Sequence, residues 1–186
     1  MILAIPGSLR RHSINAAALR AAASAAARDG LLVEVDDSPR RLPHFNPDLE
    51  SAPPATVARF RRSLEAAEGV VLAVPEYTFG IPGALKNSLD WLVGSGSLYR
   101  KPVALLHVAP PGRGAHVRES LEHVLKAHNA AVTRHCVPIA PRDLDTSGEL
   151  SDGRIVGALQ AVVAELAVRA SVADDRSADE RSLSGC

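Results

Sequence analysis

Two stretches of the chain combine residue types that could do chemistry. The first is Gly7-Ser-Leu-Arg-Arg-His-Ser-Ile-Asn15, which offers two hydroxyls, an amide and two guanidinium groups. If a helix begins within it, the free N–H groups of the first turn and the positive end of the helix dipole add to those donors, a combination that suits a phosphate. The loop is neither a Walker loop nor a G-x-G-x-x-G turn. The same residues also read as a plain capped helix, with Ser13 as N-cap and Arg10 and Arg11 in solvent. His12 reads as a solvent-facing loop residue.

The second stretch runs from Val74 to Leu92 and reads VPEYTFGIPGALKNSLDWL. It holds Tyr77, Phe79 and Trp91, half of a set of rings that totals three Phe, two Tyr and one Trp, together with Gly80 and Gly83. Rings supply stacking area and glycines let a backbone approach closely, so this concentration suggests a surface for a flat ligand. The alternative is a hydrophobic plug that seals a subunit contact, and Trp91, placed within a helical pattern, takes that reading.

Both stretches need a scaffold, and composition bounds it. The length of 186 residues is that of one domain, and 46% apolar residues suffice for a sizeable core. With aromatics at 3%, the filling must come from Ala, Val, Leu and Ile, which suits helices packed closely on a sheet. Lys and Arg total 21 against 21 Asp and Glu, with the basic residues scattered, so no nucleic-acid partner is expected. Met1–Ile5 has no basic leader and no small-residue cleavage site, and the longest apolar runs fall short of the roughly 20 residues a membrane span needs. Cys136 and Cys186 make no metal or disulfide pattern, which places the chain in the cytoplasm without a membrane partner.

The periodicities alternate strand and helix throughout. Ile2–Ile5 predicts a strand ending at Pro6-Gly7, and the Ala-rich stretch from Ile14 to about Arg28 predicts a helix. Strands follow at Leu31–Val35, Val70–Val74, Pro102–Val108 and Ala131–Val137. Helices are expected around Val57, Phe60 and Leu64, around Leu85, Leu89 and Leu92, around Val117, Leu121 and Leu125, and from near Ser151 or Asp152 through Leu166. Residues 36–54 form a long irregular connection rich in Pro, Asp, Asn and Ser. Five strands and five helices in alternation predict an α/β fold, a doubly wound five-stranded parallel sheet with helices on both faces. Residues 1–170 then form a single domain, and 171–186 a flexible tail. Ligands of such sheets lie beyond the carboxyl ends of the strands, which directs attention to Gly7–Asn15, Pro75–Gly83 and Pro110–Gly114. The seven His residues lack zinc-ligand spacing, and His107, within the fourth strand, reads as a core histidine.

At this point GSLRRHSIN and PEYTFGIPGALKNSLDWL together resemble the two signature stretches of the NADPH-dependent FMN reductase family, flavodoxin-like enzymes that include quinone, chromate and azo-dye reductases. The similarity in strand and helix order runs from Met1 to about Val168. The resemblance implies a flavodoxin-like fold and a bound FMN whose phosphate is held by Ser8, Arg10, Ser13 and Asn15, with Ile14 between the last two. It implies that Pro75, Glu76, Tyr77, Thr78 and Phe79 line the isoalloxazine. The family usually has Asn where this chain has Thr78, and a Ser-x-Gly-Gly type loop where it has Ala109-Pro-Pro-Gly-Arg113, in which Gly112 still permits close backbone approach. Two prolines there remove two N–H donors.

The implied activity is transfer of a hydride from NADPH or NADH to bound FMN and of two electrons onward to a flavin, quinone or similar small-molecule acceptor, with no catalytic acid or base required of the protein. Arg113 or Arg118 could meet the NADPH 2′-phosphate, against the plainer reading of solvated arginines. Two other classes stand beside this one. A flavodoxin-like electron carrier would normally be acidic, which the neutral charge opposes. A binding protein with a weakened flavin site is motivated by Thr78 and Pro110-Pro111. The family further implies a homodimer or homotetramer, with the segment from Gly83 to Leu92 near the contact.

Overall fold

Every residue of β1, Ile2–Pro6, is buried, because strands flank it on both sides and helices cover both faces. The computed structural model describes residues 1–110 and 112–183. After β1 come α1 (Ile14–Ala27), β2 (Val33–Val35), α2 (Ala55–Ala66), β3 (Gly69–Ala73), α3 (Gly83–Asp90), β4 (Pro102–His107), α4 (Ala115–Ala127), β5 (Ala131–Cys136) and α5 (Gly153–Leu183). All strand pairs are parallel and the order is β2-β1-β3-β4-β5. That is the flavodoxin-like order, with its switch point between β1 and β3.

The period-two alternation of the central strands sorts the core into two layers. Ile2 and Ala4 of β1, Val71 and Ala73 of β3 and Ala104 and Leu106 of β4 face α1 and α5, where Leu19, Leu159, Val163 and Leu166 meet them. Leu3, Ile5, Val70, Leu72, Val103 and Leu105 face the other way, onto Phe60 and Leu64 of α2, Leu85 and Leu89 of α3 and Val117, Leu121 and Leu125 of α4. The alanines of α1 are the reason it can lie close to both sheet and α5: Ala17, Ala18, Ala25 and Ala26 are wholly buried.

Most boundaries fall within two residues of expectation. β2 begins at Val33 rather than Leu31, and β3 ends at Ala73 rather than Val74. The connection 36–54 contains short 3₁₀ turns at Ser38–Arg40 and Pro47–Leu49. Asp152 caps α5, accepting from the N–H groups of Arg154 at 2.8 Å and Ile155 at 3.3 Å. This helix departs from the sequence reading twice. Residues 171–183, expected to leave the domain as a tail, continue the helix. Its stretch Gly153–Ala173 is also long and apolar enough, by length and composition, to cross a membrane, because alanine and valine extend apolarity around most of its circumference. Here Leu159, Val162, Val163 and Leu166 are packed into the core of the chain.

The apolar side chains of the segment Gly83–Leu92 turn inward. Leu85, Leu89, Trp91 and Leu92 are all buried within this chain. The Trp91 indole N–H donates to the Pro43 carbonyl at 2.8 Å, and its ring meets Phe45 edge-on with centroids 5.1 Å apart. Asn87 completes the strap by donating to the same carbonyl at 2.9 Å and accepting from the Phe45 N–H at 2.7 Å. Trp91 therefore is a plug, but it seals the long 36–54 connection onto α3.

Candidate functional site

Three loops leave the carboxyl ends of β1, β3 and β4, and a cavity of about 660 Å³ opens between them. Its volume lies within the roughly 300–1,000 Å³ usual for cofactor and small-ligand sites. The start of α1, just after the β1 loop, contributes Ile14 and Asn15, and the β3 loop Val74, Pro75, Glu76 and Phe79. The β4 loop and the start of α4 supply Val108 to Pro110 and Gly112 to His116, while Ile139 and Pro141 close the side beyond β5.

Local geometry explains how each wall is held. Ser8 is buried, and its Oγ accepts from the Arg10 N–H at 3.2 Å and shares a 3.0 Å hydrogen bond with the Tyr77 hydroxyl. The first two loops are thereby joined across 69 positions of sequence. Ser13 is the N-cap of α1, its Oγ accepting from the Ala16 N–H at 3.4 Å. Gly7 is needed for close packing: a Cβ there would stand 3.0 Å from Val74 and 3.2 Å from Leu85.

Asn15 is 7% exposed, and its Oδ1 has no hydrogen-bond partner among the described residues. An unmade hydrogen bond in a buried place costs about 1–3 kcal/mol. Asn15 is also among the residues that line the cavity.

On the opposite wall, the Glu76 carboxylate accepts from the Val117 N–H at 3.1 Å. Gly114, which precedes α4, has no side chain with which to cap it, so a residue of the β3 loop takes that part. Gly114 itself is forced by space and backbone alike. Its φ is +78°, and a Cβ would lie 2.1 Å from the His107 ring. His107 lies buried at the end of β4, with Nε2 unpartnered among the described residues. Burial, aided by the positive charge of Arg118, pushes its pKa below the usual histidine range, so it stands neutral under α4.

The sequence-derived residues divide clearly. Ile14, Asn15, Pro75, Glu76, Phe79 and Gly112 line the cavity. Ser8, Ser13 and Tyr77 act one step back, as the hydrogen bonds above show. Arg10 is exposed beside the loop, and Thr78, with φ +50°, sits in the turn that carries Phe79. Trp91 does not join Tyr77 and Phe79, since it is wholly buried against the 36–54 connection. Pro110 and Arg113 do reach the cavity wall, whereas Pro111 lies outside the described residues. His116, Ile139 and Pro141 were not singled out from sequence. The signal for the last two lay in topology, because the carboxyl end of β5 opens on the same crevice.

Comparison with known proteins agrees with this geometry. The model of the NADPH-dependent FMN reductase family matches residues 1–144. A probable NADPH:quinone oxidoreductase of Oryza sativa subsp. japonica is 33% identical over 175 residues, covering 83% of this chain and 80% of the relative. An NAD(P)H-dependent FMN reductase of Pseudomonas aeruginosa is 32% identical over 162 residues, covering 82% and 85%. Among solved structures, the flavoenzyme NAD(P)H:(acceptor) oxidoreductase of Paracoccus denitrificans superposes with a TM-score of 0.74 at 26% identity, over 89% of this chain and 93% of that one. An archaeal flavodoxin shares the fold alone, at 11% identity and a TM-score of 0.58 over 92% and 99%. With matched signature loops, the flavodoxin strand order and a cavity at its switch point, the chain belongs to the NADPH-dependent FMN reductase family.

Proposed function

We propose that this chain is an FMN-dependent NAD(P)H oxidoreductase that passes electrons from NADPH or NADH to a small-molecule acceptor such as a free flavin or a quinone. The observation that carries the reading is the cavity of about 660 Å³ at the β1/β3 switch point, lined by Asn15, whose buried amide oxygen has no partner among the described residues. The residues present fit FMN. The sugar-alcohol chain of FMN offers hydroxyl donors to Asn15 Oδ1, and its phosphate suits the start of α1, where Ser13 and Arg10 flank the positive end of the helix dipole. Pro75, Glu76, Phe79 and Gly112 then border the flat ring system. FMN supplies, when bound, the chemistry of accepting a hydride and releasing two electrons.

What the protein does is bind, orient and exclude water. The Ser8–Tyr77 bond holds the anion loop against the β3 loop. Glu76 ties the β3 loop to α4 by accepting from the Val117 N–H, which joins the two walls. Gly112, at φ +82°, lets the backbone of the β4 loop lie close to a bound ring. No acid or base is needed at the site. Zero formal net charge also separates the chain from carriers that dock through an acidic surface.

A visible absorption spectrum of the purified protein, taken before and after adding FMN and then NADPH, tests the reading. It predicts a perturbed flavin band that bleaches with NADPH and returns with a quinone. A protein that leaves both the spectrum and the fluorescence of FMN unchanged would refute it. We assign the FMN-binding unit to residues 1–170 and place the enzyme in the cytoplasm as a homodimer or homotetramer. Since the apolar residues of α3 are spent within the chain, exposed Val93 and Tyr99 beyond it are the candidate contact, which light scattering on charged substitutions there would test.

A further inference from the structure

Phe79 and His116 at the mouth of the cavity are exposed, whereas the wall made by the β4 loop and the first turn of α4 rests on a buried histidine. His107 is 6% exposed. Its backbone is fixed in the sheet: it stands in register with Cys136 of β5, and its carbonyl accepts from the Val137 N–H at 2.9 Å. Its ring fills the space that a side chain at Gly114 would need, since a Cβ there would lie 2.1 Å from Cε1 and 2.9 Å from Nδ1. Gly112 to His116 line the cavity, so this ring is the floor under that wall.

The surroundings suit an uncharged ring. Beside His107 lies a void of about 10 Å³ with Leu72, Val74, Val117 and Leu121 among its walls. That is roughly the space of one water, but apolar walls give a water few partners. Nε2 is buried and has no partner among the described residues. In a neutral imidazole this leaves one acceptor unused, whereas an imidazolium makes both nitrogens donors and adds a charge to be desolvated. The facing groups oppose that charge on balance. Burial is the largest effect and the Arg118 guanidinium of α4 adds to it, while the Arg113 backbone and the Glu76 carboxylate act the other way without prevailing. The positive end of the α4 dipole lies over the same ring, because Gly114 is the N-cap. Glu76 is also committed to the Val117 N–H at 3.1 Å, so turning it towards a charged ring would uncap α4.

We propose that His107 is a positioning residue of this site: its neutral ring seats the β4 loop and the first turn of α4 against the cofactor, and a proton on the ring unseats them. The proposal rests on the FMN reading for what that wall contacts. Because the folded chain holds the ring below the ordinary histidine range, its contribution to stability is complete above that range. It is lost as pH falls from there towards the folded value. The wall is therefore firm at neutral pH and loosens in acid.

The test compares native protein with His107→Asn, a neutral side chain that takes no proton. FMN affinity is measured by fluorescence quenching between pH 7.5 and 5.5. A phosphate monoester gains its second proton near about pH 6, which weakens binding equally in both proteins, so the difference between them isolates the ring. Native protein is expected to lose about tenfold more affinity over this range than His107→Asn, which binds within about threefold of native at pH 7.5. Hydrogen exchange on the same proteins without FMN gives a second readout: protection of the Gly112 to Val117 amides falls in acid in native protein and holds in the variant, while β1 and β3 stay protected in both. His107→Leu, suited to the apolar walls, supplies the same comparison where the amide does not fold. Equal pH dependence of FMN binding in native and neutral variants, or unaltered protection of residues 112–117 in acid, overturns the proposal and leaves the FMN reading intact. Failure of the native chain to bind FMN at any pH overturns both.

Discussion

Residues 75–80 and 83–91 are adjacent in sequence and carry the remaining rings of one motif, yet they solve opposite problems. In the first, Tyr77 and Phe79 are exposed, and Thr78 and Phe79 hold strained backbone. In the second, Trp91 is wholly buried, α3 has ordinary helical geometry, and Asn87 and Trp91 both hold the Pro43 carbonyl. The loop carries Phe79 at the cavity wall, and the helix secures the frame from which that loop hangs. A cluster of rings in sequence is therefore no guide to a cluster in space. The helix turns Trp91 towards the interior, while the tight turn at Thr78-Phe79 throws the adjacent ring outward.

The strongest challenge to that contrast is Trp91→Ala, expected to cost about 3–5 kcal/mol by denaturant unfolding, against no more than about 0.5 kcal/mol for Phe79→Ala. Equal costs would end the distinction between frame and mouth. The opposite wall offers a second probe. Gly114→Ala drives a methyl into the His107 ring at a positive φ, and a loss of about 1–3 kcal/mol together with weakened FMN binding is the expected outcome. Glu76→Ala removes the cap on α4 and is predicted to cost about 0.5–2 kcal/mol, while Glu76→Gln, which keeps an acceptor oxygen, retains most of it. Smallest and opposite in sign, Thr78→Gly relieves the turn and should raise stability by about 1 kcal/mol. A destabilised Thr78→Gly protein would show that the positive φ is not where the loop stores strain.

Much of this molecule was readable in the residues. The buried runs Ile2–Ile5, Val70–Val74 and Pro102–Val108 announced a parallel sheet because strands covered on both faces are apolar at consecutive positions. The 36–54 connection, rich in Pro and Asp, was also plain. Less legible was the division of labour in the site. Ser8 was expected as a phosphate ligand, yet its hydroxyl also ties Tyr77, a partner 69 positions away that only folding supplies, whereas the cap that Ser13 places on α1 was already readable. Glu76 looked like a lining residue and proved to be one that also caps a helix starting 39 positions later, at Ala115. Thr78 departs from the family's usual Asn, and only the backbone dihedral gives that departure a physical meaning: Asn tolerates the left-handed region better than a β-branched residue does.

The sequence by itself determined the alternation of strands and helices, the two loops that carry the family's signatures and the neutral charge that sets a reductase apart from an acidic carrier. These follow from local properties, namely periodicity, turn chemistry and composition, which need no knowledge of distant neighbours. Tertiary structure decided which ring lines the cavity, which carboxylate caps which helix and which buried amide oxygen has no partner among the described residues. Each of those depends on contacts between residues tens of positions apart, and parallel strand order alone brings the ends of β1, β3 and β4 to a single crevice.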